Sequence, residues 1–520
     1  MGQIAQETRA DASNGAGAKA VRSWAPATGE LLGEVPVTSR EEVARTVERA
    51  RRAQAAWSVL SVEERARRVL RLRDAVLDHA EEIADVVSRE CGKPKVEALL
   101  HDVAVFLGTA THACKAAPSA LASRDVTTSM QPHRRAELHY VPRGVVGIIS
   151  PWNFPFSIPM GDVVAALVTG SAVVVKPSDV APLTMEKAKQ VFDGCGLPED
   201  LFQLVHGGAE VGQALIESGI QKLVFTGGVS SGRKVAAACG AALVPCVMEL
   251  GGKAPLVACA DCDLERTARA IAWGGFVNSG QACVAVERVY AHAAIHDALL
   301  AKVVDLVAEL RQGDPARPDT DVGALTYPRQ VDIAEAHIAD ATAKGATIAC
   351  GGKRGAGPGQ FFEPTVLAGC THDMTVMTDE IFGPIVPFMK VASDDEAIAL
   401  ANDSPLGLNA YVFTRDRDKG ARLARRVAAG SVVVNDVMSN YAAAELPFGG
   451  IGQSGFGRVH GDDALRDMAQ LRVVTVDRVS PPKRDPYWYP YSATTYKWML
   501  RGLRAVYTPG GVLKRLGALF

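Results

Sequence analysis

The chain has 520 residues, 48% hydrophobic and 22% charged, with 49 glycines and a net charge of −2. That length accommodates two or three domains, and the near-neutral balance gives no electrostatic footprint for nucleic acid or an acidic substrate. No apolar run approaches the roughly 20 residues needed to cross a bilayer, and the N-terminus shows no charged-then-apolar leader, so a cytoplasmic chain is expected.

Residues 1–20 are small and polar with little to bury, and disorder is expected there. Between Val21 and Val37 short extended pieces are broken by Pro26, Gly29, Gly33 and Pro36. Thr38 and Ser39, each with a glutamate three positions later, open a helix to about Trp57. Ser61 with Glu64 opens a second, Arg-rich helix. A third runs to about Glu90 and ends at the turn Cys91-Gly92-Lys93-Pro94. Their charge-laden sides read as solvated faces.

Residues 134–142 alternate and predict a strand. Apolar β-branched runs follow at 144–149, 172–175, 202–205, 222–225 and 242–247, separated by helical segments at 157–169, 182–195 and 210–218. That alternation predicts βαβ units around a parallel sheet buried on both faces. A second series begins at Ala254 and continues at 287–290, 322–325, 347–348, 365–367, 385–390, 409–413 and 430–435. The fold class is α/β, with two parallel-sheet domains joined near Gly251. Residues 471–477 predict one more strand. The ten cysteines are irregularly spaced, which fits a reducing compartment better than a disulfide framework. Cys259 and Cys262 form a lone C-x-x-C that reads as two small buried or loop residues. Cys114, Cys195 and Cys350, set among Ala and Gly, read as small core residues, and no metal site is expected.

Several segments carry chemistry. Gly147 to Pro155 sets Ser150, Trp152 and Asn153 just beyond a strand's C-terminal end, where open α/β sheets bind ligands. Lys176-Pro177-Ser178-Asp179 ends the next strand. Phe225 to Gly232 leads from a strand into a helix, and Gly227 and Gly232 let backbone N–H groups approach a pyrophosphate. The P-loop reading fails there, because Arg233 and Lys234 follow Gly232. Met248-Glu249-Leu250-Gly251-Gly252-Lys253 places a carboxylate 34 positions before Cys283, which itself follows the polar, accessible turn Asn278-Ser279-Gly280-Gln281. A thiolate is a strong nucleophile, and a nearby carboxylate can take a proton from water or from the thiol.

With Glu380-Ile381-Phe382-Gly383-Pro384 and the glycine-rich stretch from Pro447 to Gly457, these motifs resemble the NAD(P)-dependent aldehyde dehydrogenase superfamily over about residues 22–480. The resemblance implies two Rossmann-like domains, a cofactor-binding one (21–132 and 143–250) and a catalytic one (251–445). It adds oligomerisation strands at 133–142 and 470–480 and a homodimer or homotetramer. Cys283 is implied as nucleophile, Glu249 as general base and Asn153 as oxyanion donor alongside the Cys283 N–H. Ser150, Trp152, Lys176, Ser178, Asp179, Gly227, Gly232, Glu380 and Phe382 are implied as cofactor-binding. Lys176 and Asp179 would hold the adenosine ribose, Glu380 the nicotinamide ribose, and Phe382 would pack by the nicotinamide. Asp179 stands where the family more often has Glu, and Gly228 and Val229 replace residues that usually carry hydroxyls. NAD is the expected cofactor, with NADP the alternative. The implied reaction oxidises an aldehyde, medium- or long-chain by the lean of the tail, to its acid. A CoA-acylating relative and a non-catalytic membrane-associated scaffold are the alternatives.

Residues 481–520 form a basic amphipathic tail. After Asp485 there is no acidic residue. Tyr496, Met499, Leu500, Leu503 and Tyr507 share one helical face, and Lys497, Arg501 and Arg504 share another. This pattern fits either an arm packed on its own or a neighbouring subunit, or a helix lying on an anionic inner membrane surface. The tail and the pair His460-Gly461 resemble the fatty-aldehyde branch of the family.

Overall fold

The computed structural model describes residues 19–128, 131, 133–479, 483–485 and 487–510. The expected disorder of the N-terminus falls outside them, except that Ala20 already opens a strand. The chain divides into two compact units, residues 1–122 with 140–470 and residues 123–139 with 471–520.

The first unit opens with an antiparallel hairpin, β1 (Ala20–Trp24) and β2 (Leu31–Pro36). Helices α1 (Arg40–Ser58), α2 (Val62–Asp78) and α3 (Ala80–Cys91) follow. The Ser39 and Ser61 hydroxyls accept from the backbone N–H of Glu42 and Glu64, so both predicted caps form. Gly92 ends α3 at φ 76°, the left-handed region that costs a glycine least. Ala98–Ala104, with π-type bonding, leads into α4 (Val105–Ala120). This stretch is not foreseen: Gly108 and Pro118 lower its intrinsic propensity, and packing of α4 on α2 stabilises it instead.

Strands β3 (Arg124–Val126) and β4 (Arg134–Pro142) come next. They precede the first parallel set: β5 (Val145–Ile149), β6 (Ala172–Lys176), β7 (Phe202–Leu204), β8 (Lys222–Thr226) and β9 (Cys246–Glu249). Helices α5 (Ser157–Val168), α6 (Leu183–Gly194), α7 (Ala209–Glu217) and α8 (Val229–Ala242) connect them. The predicted strand at 242–247 is therefore displaced. The alanine-rich run continues α8 to Ala242, Leu243 turns out into solvent at φ 54°, and extended pairing starts only at Cys246.

The second set comprises β10 (Pro255–Ala258), β11 (Arg288–His292), β12 (Thr347–Cys350), β13 (Thr365–Ala368) and β14 (Ile385–Val391). A short β15 (Leu406–Gly407) precedes β16 (Asn409–Phe413) and β17 (Ser431–Val434), and α9 (Leu264–Phe276) crosses between β10 and β11. No strand forms at 322–325. Val322 makes one isolated bridge, and Gly323 lies so close to the Gly92 carbonyl that a Cβ would stand 1.9 Å from it. Finally come β18 (Ile451–Gly452), β19 (Gly455–Phe456) and β20 (Ala469–Asp477).

The first sheet has the order β19-β9-β8-β5-β6-β7, with only β19 antiparallel. The second runs β12-β13-β14-β11-β10-β16-β17, parallel except for β12. Both lie within the first unit, with the join near Gly251 between β9 and β10. In the first sheet the chain moves outward from β5 through β6 to β7, then returns to the other side of β5 with β8 and β9. That reversal makes a topological switch point at the C-terminal strand ends, where the predicted motifs lie. In the second unit β20, β4 and β3 form one sheet. Cys259 and Cys262 are buried as expected, whereas Cys195 and Cys350 are only partly so.

Candidate active site

Helix α9 delivers the chain to a tight turn. Asn278, Ser279 and Gly280 take φ values of 50°, 55° and 73° in succession, a conformation costing on the order of 1 kcal/mol or more per non-glycine residue. Side chains over-determine it. Asn278 Nδ2 donates to the carbonyls of Asn153 (2.9 Å) and Gln281 (3.1 Å), and Gln281 Nε2 donates back to the Asn278 carbonyl (2.9 Å). Ser279 Oγ donates to the Gly323 carbonyl at 3.1 Å, and the Asn278 N–H donates to Glu97 at 2.9 Å. Gly280 is obligatory, because a Cβ would lie 2.1 Å from the Gly383 carbonyl. The turn is buried throughout, not accessible as its polarity suggests, because its polar groups bond within the turn and to Glu97, Asn153, Gly323 and Thr326, with Asn278 Oδ1 the exception.

Cys283 follows and is partly exposed. Gly252 must lack a side chain, since a Cβ there would stand 2.3 Å from the Cys283 carbonyl. Burial, then the charges of Glu380 and Glu249, push the Cys283 thiol up to about 12; the N–H groups of Cys283 and Val284 act in the opposite sense.

Glu249 is the last residue of β9. It is neither a helix cap nor an ion-paired acid: both carboxyl oxygens are buried without a hydrogen-bond partner. Burial and Asp162 raise its pKa well above the carboxylate range, and Arg458 opposes them. Glu249 and Cys283 line one cavity with Asp162, Ile158, Tyr441, Phe448 and His460. Asp162, on α5, is pushed up to about 7 by burial, and His460 is driven down to about 4, so its ring is neutral at physiological pH. Motif reading passes over Asp162 and Tyr441, because a lone acid or tyrosine in a helical run carries no signature.

Asn153 stands beyond β5. Its carbonyl accepts from Lys93 Nζ at 2.6 Å, and its amide nitrogen donates to the Gln281 carbonyl at 3.0 Å. One of two amide hydrogens is thus engaged, leaving the other available. Lys93 also pairs with Asp102 at 3.0 Å, both fully buried, and Asp102 accepts from the N–H groups of Phe156 and Ser157 at the start of α5. This ion pair ties the Cys91–Pro94 turn to the Asn153 loop.

The residues assigned to a cofactor fit one. Ser150 Oγ is buried and unpartnered at the end of β5. Lys176 Nζ donates to the carbonyls of Pro177 and Gly207 at 2.8 and 2.7 Å, with Asp179 and Glu210 as nearby carboxylates. Ser178 Oγ accepts from the Val180 N–H. Gly227 bonds the Glu249 carbonyl, and Gly228 precedes α8 without a capping side chain, leaving first-turn N–H groups for an anion. Gly232 lets α8 approach Leu250, whose Cδ2 a Cβ would meet at 2.3 Å. Glu380 accepts from the Gly252 N–H at 3.0 Å, and burial raises its pKa. Phe382, at φ 52°, sets its ring edge-on to Trp152 with centroids 5.3 Å apart. Among the described residues there is no cluster of potential metal ligands.

Residues 13–474 match the aldehyde dehydrogenase family model. The chain is 37% identical over 501 residues to 4,4'-diapolycopene aldehyde oxidase of a Methylomonas species, covering 95% of this chain and 93% of that one. It is 36% identical over 457 residues to a putative NADP(+) succinate-semialdehyde dehydrogenase of Mycolicibacterium smegmatis, covering 87% and 88%. Among solved structures, an aldehyde dehydrogenase of Brucella melitensis biovar abortus superposes with a TM-score of 0.86 at 29% identity, covering 90% and 96%. The NAD+ complex of a Bacillus cereus aldehyde dehydrogenase gives 0.85 at 31%, covering 89% and 94%. A cysteine and an unpaired carboxyl on one cavity, in a fold with a topological switch point, thus coincide with a match over most of the sequence: the chain belongs to the aldehyde dehydrogenase family, oxidoreductases that bind NAD(P).

Proposed function

We propose that the protein oxidises an uncharged aldehyde with an apolar, medium- or long-chain tail to its carboxylic acid, preferring NAD. The observation that carries the uncharged, apolar part of this reading is the cavity shared by Cys283 and Glu249; the chain length rests on the tail's resemblance to the fatty-aldehyde branch. Ile158, Leu408, Tyr441, Phe448 and Val459 line it, the lining includes two carboxyls, and it contains no lysine or arginine. An anionic aldehyde would find no lysine or arginine in this lining to pair with its charge.

Cys283 loses its thiol proton to solvent and its sulfur adds to the carbonyl carbon, giving a thiohemiacetal whose oxyanion accepts from the Cys283 N–H and the Asn153 amide. When bound, oxidised NAD(P) supplies a positive charge and the hydride acceptor that takes this adduct to the thioester level. Glu249 then removes a proton from water, which attacks the thioester, releases the acid and returns the thiol. An intact Glu249 favours water over CoA as the acyl acceptor. Asp179 beside Lys176 favours a ribose 2′-hydroxyl over a 2′-phosphate. The exposed strand β20, at one edge of its sheet, supports a homodimer or homotetramer built by edge pairing, in a cytoplasmic enzyme.

The test compares kcat/KM across straight-chain aldehydes from acetaldehyde to dodecanal and for succinic semialdehyde. Burying a methylene is worth about 0.8 kcal/mol, so kcat/KM is expected to climb by up to about fourfold per carbon through the first additions. Succinic semialdehyde is expected to fall well below butanal. A flat profile, or a preference for the semialdehyde, would defeat the substrate assignment. Separately, Asn153→Ala is expected to lower kcat by about 100-fold or more; a loss under about threefold, measured with decanal, counts against the oxyanion role.

A further inference from the structure

The segment from Tyr487 to Tyr507 supplies no residue to the lining of the Cys283 cavity, yet it holds five of the ten tyrosines and two of the six tryptophans in the chain. Ser492 caps the helix Ala493–Tyr507, accepting from the Thr495 N–H at 3.0 Å. The helix has no buried residue. Its apolar side lies in solvent: Tyr496 is 69% exposed, Met499 49% and Leu503 47%. A helix that exposes its apolar stripe needs a cover, and its charges indicate which one.

Residues 486–520 contain five lysines and arginines and no acid, so the remainder of the chain carries −7 against a total of −2. An anionic surface would therefore attract this segment and repel the rest. Among the described residues Lys497, Arg501 and Arg504 enter no ion pair, and they flank the apolar stripe where long side chains can reach outward over a lipid headgroup. Tyrosine and tryptophan suit such a boundary, being apolar in body and polar at one end. At 15 residues the helix is too short to span a bilayer, and no described helix is long and apolar enough to do so.

We propose that residues 487–507 are an interfacial docking element: the helix lies along an anionic lipid surface, with Tyr496, Met499 and Leu503 inserted and Lys497, Arg501 and Arg504 paired with lipid phosphates. Binding combines apolar burial with headgroup attraction, and the arrangement holds the enzyme at a bilayer without crossing it.

The test sediments the full chain with phosphatidylcholine vesicles, with and without 30% phosphatidylserine. Binding is expected only with phosphatidylserine and should weaken as salt rises. Each cation near such a surface is worth about fivefold in partitioning, so a Lys497→Ala/Arg501→Ala/Arg504→Ala variant should bind on the order of 100-fold more weakly. Met499→Asp/Leu503→Asp should abolish binding, with activity on a water-soluble aldehyde retained. Equal binding to both vesicle types, or variants that bind like the parent chain, would overturn the proposal. So would variants that change sedimentation velocity without lipid while vesicle binding persists, which would assign the apolar stripe to a second copy of the chain. Because vesicle binding needs no aldehyde, this outcome is independent of the reading of the active site.

Discussion

Cys283→Ala is expected to lower aldehyde turnover by about 1,000-fold or more, read as reduced-nicotinamide formation with decanal, while thermal unfolding stays close to that of the parent chain. The size of the effect follows from losing the sulfur proposed to form the covalent intermediate. The informative control is Cys246→Ala. Cys246 is partly exposed, and the Cys239 thiol, with help from Lys222, brings its pKa down to about 7. Cys283 sits near 12 instead. An alkylating reagent at neutral pH is thus expected to modify Cys246 first, so labelling alone would misidentify the nucleophile. Turnover separates them: Cys246→Ala should retain activity within about threefold. The reverse pattern, with Cys283→Ala active, would remove the proposed mechanism.

Glu249→Gln should separate the two halves of the reaction. The amide fills the same space but cannot accept a proton from water. A burst of reduced nicotinamide equivalent to the enzyme concentration is expected, followed by a steady rate lower by about 100- to 10,000-fold. Mass spectrometry of the quenched protein should show Cys283 carrying the acyl group. The pH dependence has a definite sign. Burial and Asp162 raise the Glu249 pKa, so it sheds its proton at higher pH than an ordinary carboxyl does. The hydrolysis-limited rate of the parent enzyme should therefore increase as pH rises, with its limb displaced upward from the ordinary carboxylate range, and the rate of the Gln variant should not share that limb. A variant with no burst, slowed equally in both phases, would move Glu249 from the water step to the thiol step. Rescue by CoA would show that the acyl-enzyme accepts thiols as well.

How much of this was legible without coordinates differs from element to element. Caps at Ser39 and Ser61 were readable because one hydroxyl and one backbone N–H three residues on decide them locally. The β5, β6, β8 and β16 strands were readable because strands buried on both faces need uninterrupted apolar, β-branched runs. Residues 242–247 misled because alanine and leucine satisfy a helix end and a strand equally well. Residues 95–120 stayed hidden because their helix is held by packing and not by propensity. Strand β19 was invisible, since two residues that pair back to β9 after the entire second sheet leave no periodicity.

The site divides in the same way. Sequence alone determined which residues could perform the chemistry: a cysteine after a glycine-containing turn, a glutamate before paired glycines, and glycines leading into a helix. Each of these is a local constraint of backbone geometry or reactivity. Only the tertiary structure decided the state of those residues. It buried the Asn278–Gln281 turn by mutual hydrogen bonding and left both Glu249 oxygens without partners. It also brought Asp162, Tyr441 and His460 to the same cavity from distant parts of the chain. Burial and like-charge proximity are sums over the whole fold, and they, not the order of residues along the chain, set the charge of the groups expected to react.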